Sequence, residues 1–123
     1  MKSHTDLPQS KELAEILPLE SADHFHIIGH LHTDGPRYEL IRSKNEVSDH
    51  DSYWPCWSLA ALLDVLPEIN GIPLTLEKVK AEDGYDGYYY HIAYEGKILI
   101  PYSKNSIDAC YEMIIKLREL NLL

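Results

Sequence analysis

Four of the chain's seven histidines crowd into one segment, His24, His26, His30 and His32 of DHFHIIGHLHTDG. On a strand, residues i and i+2 point the same way, so imidazoles at this spacing can converge on one metal ion at ~2.1 Å. The chemistry would be metal binding or metal-dependent hydrolysis, with only His50 and His91 left downstream as further histidine ligands. The competing reading places the same imidazoles on the water-facing side of a half-exposed strand, where they simply titrate. Alternation puts His24, His26, Ile28, His30 and His32 on one side and Phe25, Ile27 and Leu31 on the other, and the sequence favours this second reading. No metal ligand, cofactor-binding residue or catalytic residue is assigned.

The remaining constellations point the same way. HLHTDG comes within one residue of the HxHxDH motif of metallo-β-lactamase-like hydrolases, but Gly35 stands where the last ligand belongs, and those enzymes use a longer chain with ligands further downstream. Ser58 sits in WSLAA without the GxSxG elbow of a hydrolase nucleophile and reads as a helix cap. Cys56 beside His50 or His91 would make a thiol–base pair, with nothing in the sequence to orient the base. Glu82, Asp83 and Asp86 fall in a solvated turn. There is no P-loop, GxGxxG or HExxH. Tyr85, Tyr88, Tyr89, Tyr90 and Tyr94 cluster, but stacking on nucleic-acid bases wants basic neighbours and these are acidic. Tyrosine at this density suits a partner surface.

The elements that position these residues are legible from periodicity and punctuation. QSKELAEIL, 9–17, carries Leu13, Ile16 and Leu17 on one helical stripe, with Asp6 and Ser10 as candidate caps and Pro18 as the stop. HFHIIGHLH and RYELIRS form a hairpin around TDGP, and 43–53 is polar loop. WPCWSLAALLDVLP gives a helix over about 58–66, apolar nearly all round and so expected to be buried at the centre. Strands over about 73–81, 88–94 and 97–102 form an antiparallel meander, with EG at 95–96 as its tight turn and Pro101 marking an edge. NSIDACYEMIIKLREL closes as a helix capped by Asn105. Its buried stripe is Ile107, Cys110, Ile114 and Leu117, widened by Met113 and Leu120, while Ile115 falls among acids. The fold class is α+β: three main helices, an N-terminal β-hairpin and a C-terminal meander.

At 123 residues the chain reads as one domain, 1–123. Cys56 and Cys110 lie far apart and form no CxxC, which argues for reduced, buried thiols. The first residues lack the apolar core of a signal peptide and no run reaches the ~18 residues of a membrane span, so the expectation is a soluble cytoplasmic protein. A net charge of −9 disfavours nucleic-acid binding and favours a basic protein partner, mimicry of nucleic acid being one form of this.

PCWSLAALLDVLP resembles the pattern P-x-W-S-L-x-x-L-L-x-x-L-P of a family of short uncharacterised proteins from gut Bacteroidales, often associated with prophage-like mobile elements. Here the pattern is Pro55, Trp57, Ser58, Leu59, Leu62, Leu63, Leu66 and Pro67. ELAEILPLESAD is similar to the family's opening and NSIDACYEMIIKLRELNLL to its closing helix, while residues 24–52 match nothing in it. The resemblance implies a small α+β fold and a mobile-element setting, and brings no activity and no catalytic residue. Residues 87–120 also look like the ββα end of HicB-type antitoxin domains.

The expected role is a non-enzymatic accessory protein acting through protein–protein contacts, with no cofactor, no membrane and no direct nucleic-acid binding. A homodimer would form through the meander edge or the terminal helix around Ile115. The alternatives are a metal-binding protein or hydrolase using His24–His32, and a small-molecule module on the tyrosine-rich sheet.

Overall fold

The computed structural model describes residues 2–29, 37–41, 52–81 and 87–123. Its contacts gather into two compact units, His4–Ala61 and Leu62–Leu123 with Met1–Ser3.

The first unit opens with α1, Leu7–Ala14, earlier than the 9–17 read from the leucine spacing. Asp6, not Ser10, is the cap: its carboxylate accepts the Gln9 N–H while the Gln9 side chain accepts the Asp6 N–H, closing a capping box. Ser10 is buried instead. After a 3-10 turn at Leu19–Ser21 come β1, His24–Gly29, and β2, Arg37–Ile41, antiparallel as expected.

The loop expected over 43–53 runs into a strand at its end. β3, Ser52–Cys56, pairs with the other side of β1, so the sheet order is β2-β1-β3. Pro55 is tolerated there because β3 is an edge strand, where its missing N–H breaks no ladder bond. Leu13, Leu17, Ile27, Cys56 and Trp57 form the core of this unit.

α2, Leu59–Val65, carries the chain into the second unit, with Ser58 Oγ accepting the Ala61 N–H as its cap. The expectation of an enclosed central helix over 58–66 is corrected. Ala61 and Leu62 are buried, but Leu63 is 42% exposed, and Ala60 and Asp64 also face water. Apolar composition all round permits enclosure; it does not supply neighbours, and this short helix buries one edge only.

In the second unit β4, Glu68–Ile69, and β5, Ile72–Pro73, form a small hairpin not read from the sequence. Asn70 and Gly71 sit at its turn with φ of 55° and 79°, the pair of positive angles that a two-residue primed turn requires. β6, Thr75–Lys80, β7, Tyr88–Tyr94, and β8, Lys97–Ser103, make the expected meander in order β6-β7-β8. Glu95 and Gly96 form its turn, also at positive φ.

α3, Ser106–Glu119, packs on β7 and β8. Asn105 Oδ1 accepts the Asp108 N–H at 2.8 Å. At the other end Asn121 adopts φ 56°, Asn121 N–H bonds Arg118 O and Leu122 N–H bonds Leu117 O, which is a Schellman cap. Ile107, Cys110, Met113, Ile114 and Leu117 are buried as the stripe requires, at about 1.5–3 kcal/mol for each large side chain. Leu120, expected to widen the stripe, is exposed at the C-cap, where the helix ends before its next turn can cover it.

Candidate functional site

The two candidate sites are the histidine face of the first unit and the face of the C-terminal sheet away from α3.

β1 alternates as expected, but the described histidines are not on a wet face. Register puts His24 opposite Cys56 and His26 opposite Trp54. Cys56 is buried, and Lys11 of α1 lies over the Trp54 ring at 5.1 Å. This side of the sheet therefore meets α1 and the segment before it. His26 Nε2 lies 2.7 Å from Thr5 O, and the His24 ring packs edge-on against His4 with centroids 4.2 Å apart. Of these rings, His26 takes a backbone carbonyl as its partner. His30, His32 and His50 lie outside the described residues.

Thr5 is the hub. Its N–H donates to Trp57 O at 3.0 Å, its hydroxyl accepts the Trp57 N–H at 3.1 Å, and that hydroxyl also meets Ser10 Oγ at 2.8 Å. With His26 on its carbonyl, a buried threonine is satisfied at every polar atom, as low-dielectric burial demands. His4 bridges Ser58. The signal for this latch was present as His4 and Thr5 in the opening residues, but no local pattern announces a contact with position 57.

Asp23 accepts from both the Ser58 hydroxyl and the Ser58 N–H, the latter at 2.9 Å, and its Oδ1 lies 3.2 Å from His24 Nδ1. Burial pushes the Asp23 carboxyl up, but the Ser58 hydrogen bonds and the neighbouring His24 outweigh it and hold it below its ordinary 3.8. In a serine nucleophile an imidazole takes the hydroxyl proton and the carboxylate orients that imidazole. Here the order differs: the serine donates straight to a carboxylate made less basic than usual, and its oxygen caps α2. The arrangement ties β1 to α2.

Cys56 is no better placed for chemistry. Burial, reinforced by the charge of Asp23, pushes its thiol up to about 12, so thiolate is scarce at neutral pH. His91, one base considered for it, is on β7 and pairs with Glu77 Oε2 at 2.6 Å. Among the described residues no group of three or more His, Cys, Asp or Glu could hold a metal ion.

Asp23 gives a pH prediction. A folded value below the unfolded one means its contribution is complete above 3.8 and is lost as pH falls through the lower folded value. Between about pH 6 and about pH 3 the urea midpoint of the wild type should fall more steeply than that of Asp23→Asn. The difference should stay under about 1 kcal/mol because the carboxyl is half-exposed. Parallel curves would contradict the assignment.

The C-terminal sheet has one face under α3; on the other, Val79, Ile98 and Tyr102 are exposed while Ala93 is buried. Ile92, Ile100 and Ser103 lie on the helix side, where Ser103 Oγ donates to Glu112 at 3.3 Å. On the other side Val79 pairs with Tyr89, Glu77 with His91, Thr75 with Ala93, and Ala93 with Ile98. Tyr102 completes the first row, edge-on to Tyr89 at 5.5 Å. Val79 is 39% exposed, Ile98 52% and Tyr102 76%.

Alternation along β7 puts Tyr89 and His91 on one face, but β8 does not alternate regularly. β8 carries two register shifts against β7, between partners of Tyr90 and Ile92 and of Ile92 and Ala93. Tyr102 sits at φ 56°. Among the described residues, the other non-glycine residues at positive φ are Asn70 and Glu95 in tight turns and Asn121 in a helix cap, where the backbone calls for it. A bulky aromatic in this region is an outlier costing about 1–2 kcal/mol.

No protein-family model, curated protein or solved structure matches the chain.

Proposed function

We propose that the chain is a non-enzymatic accessory protein acting through protein–protein contact, with the face of the β6-β7-β8 sheet away from α3 as its contact surface. The observation behind this reading is Tyr102: a strained backbone carrying an exposed aromatic ring edge-on to Tyr89, in a sheet that also exposes Val79 and Ile98. Backbone strain persists where the surroundings enforce it and clusters at functional positions. Exposed tyrosine next to apolar side chains has the composition of an interface centre. The chain's net charge of −9 disfavours nucleic acid as the occupant, and the resemblance read from the sequence is in keeping with a mobile-element setting.

The test is capture from lysate of the native host on wild-type and Tyr102→Asn baits. Asparagine accepts positive φ, so the backbone is kept while the ring is lost. A protein retained by the wild type and lost with Tyr102→Asn supports the reading. Identical capture by both baits, or none by either, contradicts it.

A further inference from the structure

The two edges of the C-terminal sheet differ. β8 is broken as a template: it carries two register shifts, Pro101 has no N–H to offer, and Tyr102 departs from strand geometry. β6 is regular, pairing residue for residue with β7 from Thr75↔Ala93 to Lys80↔Tyr88. No described strand pairs with its outer side. Glu77, Lys78, Val79 and Lys80 are all exposed.

The ladder phase tells which backbone groups that edge presents. Ala81 N–H donates to Gly87 O at 3.0 Å, continuing the register one step past Lys80↔Tyr88. Hydrogen-bonded pairs alternate with non-bonded pairs in an antiparallel ladder. Val79, Glu77 and Thr75 therefore turn their N–H and C=O toward β7, and Leu76, Lys78 and Lys80 turn theirs outward.

We infer that the outer edge of β6 accepts an extended segment of a partner protein as an added strand, with acidic residues beside Lys78 and Lys80 and an apolar residue beside Val79. This inference rests on the protein-contact reading and names the segment that makes the contact. Outward N–H and C=O at Leu76, Lys78 and Lys80 supply the main-chain bonds of strand addition, and alternate side chains supply specificity. Side chains of neighbouring strands share a face, so acids at i and i+2 meet the two lysines on the α3 side. The residue between them extends the Val79–Tyr89–Tyr102 row on the side away from α3. Lys78 and Lys80 attract an acidic segment locally, while the chain's charges more than ~8 Å from the contact are largely screened at physiological salt.

A second copy fits this edge less well. Two-fold antiparallel pairing keeps like faces together, so the registers centred on the strand set Lys78 against Lys78 or Glu77 against Glu77. Like charges directly opposite are destabilising.

The probe is an N-acetylated, C-amidated peptide alternating Glu and Val, with the Lys/Val peptide as its control. In the free protein the amides of Leu76, Lys78 and Lys80 should exchange quickly and those of Glu77 and Val79 slowly. The Glu/Val peptide should slow the first set at least tenfold and bind at least tenfold tighter than Lys/Val. Lys78→Pro removes an outward N–H and should weaken binding at least tenfold while the β7 amides stay protected. Val79→Pro removes a ladder bond and should expose them.

No slowing at Leu76, Lys78 and Lys80, or no preference for Glu over Lys, overturns the inference, and the exchange readout stands even if Lys78→Pro fails to fold. A peptide-induced rise in dimer by sedimentation would assign the edge to a second copy and overturn it too. Loss of capture with Tyr102→Asn alongside unchanged Leu76, Lys78 and Lys80 exchange would sink the edge and leave the contact reading intact.

Discussion

Trp57→Ala should lose about 3–5 kcal/mol of stability, the range for deleting a buried aromatic side chain. Against a typical total of about 5–15 kcal/mol this leaves the first unit marginal or unfolded. Trp57 is fully buried, and its indole N–H donates to Ser21 Oγ at 2.9 Å. Its backbone N–H and C=O are both held by Thr5. The ring thus fills the core where the chain leaves β3 for α2, and its main chain anchors the segment preceding α1. Removal leaves a cavity, a serine without its indole partner and a looser latch. Trp57→Phe keeps most of the volume and should cost about half as much, the lost hydrogen bond contributing about 1 kcal/mol. Urea midpoints followed by tryptophan-independent far-UV dichroism would measure both. A Trp57→Ala midpoint equal to wild type would show that the residue is not a core element.

Leu117→Ala should cost about 2–5 kcal/mol, because Leu117 is fully buried on the face that α3 lays on β7 and β8. Ile115→Ala, two residues earlier, should cost less than about 1 kcal/mol, since its side chain is only half-buried. The contrast tests helix phase: rotating α3 by one residue would erase it. Equal midpoints for the two variants would contradict the described packing.

α3 and the β7–β8 hairpin could be read from the sequence because their signals are local. Asn105 caps, the apolar residues follow a helical period, and Glu95-Gly96 fits a tight turn. β3 could not be, because Pro55 and the preceding polar run argue against a strand unless the partner on β1 is known. Asn70-Gly71 was readable as a hairpin signal, but the flanking strands have only two residues each, too few for an alternating pattern.

The exposure of Leu63 and the covering of His24 and His26 are tertiary outcomes. Both depend on which elements arrive next to those residues, and neither composition nor period carries that information. Tyr102 was invisible as a site for a related reason. Its outward turn arises from register shifts between β7 and β8, which break the alternation that assigns faces.

Tyr102→Asn bears most directly on the reading of that ring as a contact residue. An aromatic held at φ 56° for a partner's sake should be a net burden in the isolated chain. The strain of about 1–2 kcal/mol exceeds the roughly 0.5 kcal/mol expected from an exposed edge-on contact with Tyr89. Urea unfolding of the purified variant should therefore show a higher midpoint, corresponding to a stability gain of about 0.5–1.5 kcal/mol. A lower midpoint would mean that the ring stabilises its own fold, and would contradict the claim that it is kept there for binding.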